Sequence, residues 1–240
     1  MTDLNCDMGE GIGNDELIMP YITSANIACG YHAGDEETMR ETILLATKYN
    51  VKIGAHPSFM DRENFGRTEI KMSLNEVYTI VQEQIGLIRK IAAGNDAPLH
   101  HVKPHGALYN MSAKDKSLAR TIVNAVKDLD DNLIVFGLSN SLLISEAKAI
   151  GLNTASEAFA DRTYQDDGSL TARSYPNALI VNVDDVINQV LMMVNHNMVK
   201  TVSGKKIGIL AETICIHGDG EHVVEFAKAI RSTLLPPLIR

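Results

Sequence analysis

Short apolar runs alternate with longer stretches of helical period along the whole chain. Leu4-Asn5-Cys6, Ala25-Asn26-Ile27-Ala28 and Val51-Lys52-Ile53-Gly54-Ala55 read as three short strands. Residues 35–49 separate the last two and put Met39, Ile43 and Ala46 on one helical face. Ser73-Leu74-Asn75-Glu76 is a capping box and opens the clearest helix, with a stripe of Val77, Ile80, Val81, Ile85, Ile88 and Ile91 ended by Gly94-Asn95. His101-Val102-Lys103 predicts a fourth strand. Ser112 and Asp115 open a helix to about Lys127, and Leu133-Ile134-Val135-Phe136 is apolar enough to be buried on both faces. A helix over 141–150, a strand over 153–156 and a helix over 184–197 follow. A hairpin over 200–206, a strand over 213–216 and a helix over 221–234 stopped by Pro236-Pro237 complete the chain. About seven strands alternating with helices predict a parallel α/β fold.

Six polar clusters sit where the apolar runs end. They are Asn5-Cys6-Asp7-Met8-Gly9-Glu10, Ala28-Cys29-Gly30-Tyr31-His32-Ala33-Gly34-Asp35, Gly54-Ala55-His56-Pro57, His101-Val102-Lys103-Pro104-His105-Gly106, Phe159-Ala160-Asp161-Arg162 and Ile216-His217-Gly218-Asp219-Gly220. A doubly wound sheet would gather such clusters near one switch point. Here nearly every strand carries one, which favours a (β/α) barrel with its chemistry at the carboxyl ends of the strands. A chain of 240 residues without linker, repeat or low-complexity stretch is expected to form one domain, 1–240.

The formal charge of -8 argues against nucleic acid and anionic membranes as partners. No apolar run approaches the roughly 20 residues of a membrane span, and the first residues carry no leader pattern, so a cytoplasmic protein is expected. Cys6, Cys29 and Cys215 show no CxxC spacing and fit a reducing compartment.

The clusters offer several chemistries. Asp7 and Glu10 flank a glycine, as acid–base carboxylates, metal ligands or ordinary turn formers do. His32 and His56 follow consecutive strands and with Asp7 are a candidate metal set for zinc, manganese or iron. Lys103 and His105 put a cation and a titratable ring at one strand end. Two residues apart on extended chain, they should face the same side. His105 is therefore the favoured general base, kept neutral by Lys103, with His56 next. Arg162 suits a substrate carboxylate or a simple ion pair with Asp161, and Arg67 and Arg173 are further cations in loops. His217-Gly218-Asp219-Gly220 precedes a helix and suits an anion. A GxxxxGK[ST] phosphate loop and a GxSxG elbow are both missing, which argues against a classical ATPase or serine hydrolase.

These strings, in this order from near Leu4 to near the carboxyl end, resemble the LamB/YcsF family. So do the longer stretches Ser24 to Asp35 and His101 to Asn110. The resemblance implies a deformed (β/α) barrel similar to the polysaccharide deacetylases. It implies ATP-dependent hydrolytic opening of 5-oxoproline to L-glutamate, performed together with B and C subunits. It leaves Asp7, His56, Lys103 and His105 as expected catalytic residues. Glu10, Arg67, Asp161, Arg162, His217 and Asp219 are expected to bind substrate, and Asp7, His32 and His56 to hold any divalent metal. Two other readings stay open: a stand-alone metal-dependent amide or carbohydrate hydrolase, and a non-catalytic substrate-binding subunit.

Overall fold

The structure is a computed structural model that describes residues 2–218, 220 and 222–234. Seven parallel strands close into a barrel: β1 (Asp3–Met8), β2 (Ser24–Ala28), β3 (Lys52–His56), β4 (Leu99–Val102), β5 (Ile134–Leu138), β6 (Thr154–Phe159) and β9 (Thr213–Ile216). They neighbour one another in chain order, and β9 closes the ring by pairing with both β6 and β1. An antiparallel ribbon, β7 (Met198–Lys200) with β8 (Lys206–Gly208), is inserted before the last strand. The expected barrel of about seven strands is the observed one.

Helices cover the outside: α1 (Asp15–Ile18), α2 (Glu36–Lys48), α3 (Leu74–Ala93), α4 (Gly106–Ser112), α5 (Lys116–Leu129), α6 (Leu142–Ala149), α7 (Val183–His196) and α8 (Val223–Leu234). Local chemistry starts most of them. Asp35 accepts the Thr38 N–H at 2.9 Å, and Asp115 accepts those of Ser117 and Leu118. Ser73 and Glu76 form the reciprocal box read from the sequence. The apolar faces of the helices are buried in the fold. In α5 this face is Leu118, Ile122, Val123 and Val126, which lie in one buried cluster with Val102, Val135 and Ile214 of the barrel.

Element boundaries differ from expectation in three places. Residues 106–112 form α4, where no element was expected; His105 stays extended at its N-cap position. The β6 strand continues to Phe159, and the ribbon lies slightly outside the expected 200–206 window. The expected stop at Pro236-Pro237 lies outside the described residues.

The barrel interior is polar, unlike the branched aliphatic layers usual in such barrels. Asn5 donates to Glu157 at 2.9 Å and to Thr213 at 2.7 Å. Asn26 donates to Asn5 and Asp7, and the His101 ring Nε2 meets Asn26 Oδ1 at 2.8 Å. Gly54 makes room for that ring, since a Cβ there would overlap the His101 imidazole. Gly54→Ala should therefore lower the unfolding free energy by about 1–3 kcal/mol, measured by urea titration. An unchanged unfolding midpoint would show that His101 has room to move.

Candidate functional site

The carboxyl ends of the strands surround a cavity of about 350 Å³. Beyond β4 the chain stays extended: the Lys103 N–H donates to Ala55 O at 3.0 Å and the His105 N–H to Pro57 O at 2.8 Å. That two-residue alternation turns both side chains toward the cavity, as their spacing predicts.

Lys103 is the floor. Its ammonium is buried and donates to Asp7 Oδ1 at 3.0 Å, Glu157 Oε1 at 2.9 Å, Asn5 Oδ1 at 3.3 Å and Cys215 Sγ at 3.0 Å. Burial disfavours the ammonium, but the carboxylates of Asp7 and Glu157 prevail and hold its pKa well above the usual lysine value. Burial likewise opposes the Asp7 carboxylate, but His56 and Lys103 hold it well below its usual range. Glu157 also accepts the Tyr109 hydroxyl at 2.7 Å. Burial, then Glu157, pushes that phenol up. Glu157, Tyr109, Asn5 and Asn26 were not singled out from the sequence. The available signal was Glu157 itself, a carboxylate inside the buried strand segment Ser156-Glu157-Ala158-Phe159.

Three histidines form one wall. His105 stacks on His32 with centroids 3.8 Å apart, and His56 stands edge-on to both. His56 Nδ1 meets Lys103 O at 2.7 Å, His105 Nε2 meets Phe65 O at 2.9 Å, and His32 Nδ1 meets Ser58 Oγ at 2.9 Å. The facing atoms converge: His56 Nε2 lies 2.8 Å from His105 Nδ1, and Glu10 Oε1 lies 3.1 Å from His32 Nε2 and 3.6 Å from His105 Nδ1. Burial pushes the His32 ring down to about 2, and His56 adds to this. Burial, with His32 and His56, also lowers His105 well below its ordinary value. The loop after β3 seals this wall. Gly66 has φ +67°, and a Cβ there would press on His105 and His32 at 2.9 Å.

On the far side of the floor, His217 follows β9. Its backbone N–H donates to Asp161 Oδ2 at 3.1 Å, and its Nδ1 lies 3.0 Å from the same carboxylate. Burial opposes ionisation of Asp161, but His217 holds the carboxyl below its usual value. The ring is thereby oriented with Nδ1–H on the carboxylate. Arg67, Arg162 and Arg173 also line the cavity. Arg162 donates to Thr171 O at 2.6 Å, and burial, then Arg173, brings its pKa down to about 10.

Asp7, His32, His56, Lys103 and His105 thus come together, as expected. Three expectations change. His105 is a poorly placed base, because its Nε2 donates to Phe65 O and its Nδ1 is turned into the cluster toward His56 and Glu10, and burial and the histidines, not Lys103, hold its pKa down. Asp161 pairs with His217 and is not among the residues lining the cavity, so it orients a ring rather than binding substrate. The metal-competent group is Glu10, His32, His56 and His105, with mutually close donor atoms, whereas Asp7 falls in a separate group with Cys215 and His217. That second group does not suit a metal: burial pushes the Cys215 thiol well up, and the Lys103 ammonium sits against the sulfur. Asp219 lies outside the described residues.

The LamB/YcsF family model matches residues 2–237, and the chain belongs to that family. The A subunit of 5-oxoprolinase from Staphylococcus carnosus is 53% identical over 97% of this chain and 94% of its own length. Its namesake from Shouchella clausii is 54% identical with the same coverage. The crystal structure of a lactam utilization protein from Thermus thermophilus superposes with a TM-score of 0.90 at 39% identity, covering 97% of this chain and 95% of that one. No helix among the described residues is long and apolar enough to cross a membrane.

Lys103→Met should lower the unfolding free energy by about 3–5 kcal/mol, because it leaves Asp7 and Glu157 buried together without a cation. Denaturant titration checks this. A loss within experimental error would mean that the carboxylates are compensated elsewhere.

Proposed function

We propose that this chain is the lactam-handling component of an ATP-dependent 5-oxoprolinase, which opens 5-oxoproline to L-glutamate together with B and C subunits in the cytoplasm. The observation that carries the reading is the cavity. At about 350 Å³, with the Lys103 ammonium at its floor and three arginines in its lining, it suits a small anionic cyclic amide. The names of the relatives, a 5-oxoprolinase component and a lactam utilization protein, support that substrate class and a multi-subunit assembly.

A five-membered lactam is an unactivated amide. Transfer of the γ-phosphoryl group of ATP to the amide oxygen would release ADP and make the carbon electrophilic. Water could then add, and the ring C–N bond would break with a proton passing to the amine. A second water would cleave the resulting acyl phosphate to L-glutamate and phosphate. The missing phosphate loop suggests that nucleotide binding is unorthodox or shared with a partner subunit. Residues at the cavity supply the rest. Lys103, held between Asp7 and Glu157, is placed at the floor to meet the amide oxygen and the phosphoryl group once that oxygen carries it. His217 takes the proton from water at Nε2, because Asp161 holds its other nitrogen protonated. Arg67, Arg162 and Arg173 provide cations for the substrate carboxylate or for a phosphoryl group.

A second reading draws on the histidine wall: a metal-dependent amide hydrolase that needs no nucleotide. Glutamate release from 5-oxoproline, assayed with and without ATP and with and without the B and C subunits, separates the two. Release is expected only with ATP and all three subunits. Turnover by the isolated chain without ATP would favour the second reading instead. In the assembled enzyme, His217→Asn keeps a donor for Asp161 but has no imine nitrogen. It should lower kcat by roughly 10²-fold or more with an unchanged fold. Near-normal kcat would remove His217 as the base.

A further inference from the structure

We infer that Glu10, His32, His56 and His105 together bind one divalent first-row transition ion, of the zinc type, at the wall of the cavity. Such a site goes beyond the lactam reading and does not depend on it.

Counting protons leads to the ion. A carbonyl oxygen can only accept, so Lys103 O requires a proton on His56 Nδ1, and Phe65 O requires one on His105 Nε2. The Ser58 hydroxyl hydrogen is directed to Phe59 O at 2.9 Å, so Ser58 Oγ accepts from His32 Nδ1–H. Each neutral ring then presents a bare nitrogen to the interior of the cluster. Two short contacts become acceptor against acceptor: His56 Nε2 with His105 Nδ1 at 2.8 Å, and His32 Nε2 with Glu10 Oε1 at 3.1 Å. Asp7 Oδ2, 3.4 Å from His56 Nε2, adds a further acceptor nearby. Such contacts stand only around positive charge.

Two extra protons would resolve them, at the expense of two imidazolium rings stacked in a buried wall. A single divalent ion resolves all of them and binds the rings in their neutral form. Spacing agrees. Donors bound tetrahedrally at zinc distances lie about 3.3 Å apart. The observed separations of 2.8, 3.1 and 3.6 Å straddle that value. The outer contacts agree as well, because histidines that bind metals hand their second N–H to a carbonyl, carboxylate or similar acceptor. Three imidazoles and one carboxylate suit zinc and its neighbours rather than magnesium or calcium. Glu10, His56 and His105 line the cavity, so the ion would act there as a Lewis acid facing whatever the cavity binds.

The test is metal content rather than turnover. Untagged full-length chain is stripped with a chelator, then titrated with zinc by calorimetry and analysed by elemental mass spectrometry. About one equivalent per chain is expected, and cobalt in its place should give visible d–d absorption of a nitrogen- and oxygen-ligated ion. Ser58→Ala leaves all four ligands intact but removes the acceptor for His32. It should weaken zinc binding by about 10–100-fold, which a stray surface site would not do. Glu10→Gln should lose the ion and Asp7→Asn should keep it, each with folding checked by circular dichroism. Folded wild-type chain that takes up no zinc would overturn the inference. So would uptake unchanged by Glu10→Gln or abolished only by Asp7→Asn.

Discussion

A single ammonium group, that of Lys103, sets the terms for the rest of the site. It is buried against two carboxylates, Asp7 from β1 and Glu157 from β6, which lie on opposite sides of β9 in the barrel ring. Neither carboxylate is tolerable there alone, and the ammonium is not tolerable without them. The amides of Asn5 and Asn26, the phenol of Tyr109 and the thiol of Cys215 complete the hydrogen bonding. This network fills the barrel where aliphatic side chains would normally pack. It therefore joins the strands around one charged centre, just below the cavity where a ligand would meet it.

Two different walls rise from that floor. On one side the His217–Asp161 pair presents an oriented imidazole with one nitrogen committed to a carboxylate. On the other, three imidazoles and Glu10 turn their potential ligand atoms toward one another. The loop after β3 holds that wall in place through close backbone contact: Ala107 donates to Gly66 O at 2.9 Å, and both Gly66 and Gly106 have positive φ. Under the proposed function, the division sets the proton-transfer side of the cavity apart from the candidate metal side. It explains why five of the eight histidines of the chain lie buried or half-buried in and beneath one cavity rather than scattered over the surface.

Much of this was legible in the sequence because it has local causes. Alternation of short apolar runs with 3.6-period stretches gives the barrel strands and most helices. The polar clusters mark the strand ends, since charged residues beside glycine and proline do not continue a buried strand. The resemblance of those clusters to the LamB/YcsF family supplied the family itself. What was not legible depends on closure of the ring. Nothing near Glu157 in the chain announces that it will meet Lys103, because β6 reaches β1 only through β9. The choice of Glu10 rather than Asp7 for the histidine wall is likewise set by three-dimensional direction. Asp7 is taken by Lys103, and Glu10, three residues further on, turns back to His32. The same holds for Asp161, whose neighbour Arg162 suggested an ion pair while the fold delivers His217 instead.

The central claim is that a lactam acid sits on the Lys103 floor between the two walls. Crystals of the chain, alone or assembled with its partners, grown with 5-oxoproline test it most directly. The ring is predicted inside this cavity, with its lactam carbonyl facing Lys103 and His217 and its carboxylate toward the arginines. A ring bound at the other end of the barrel, or against a partner subunit alone, would contradict it.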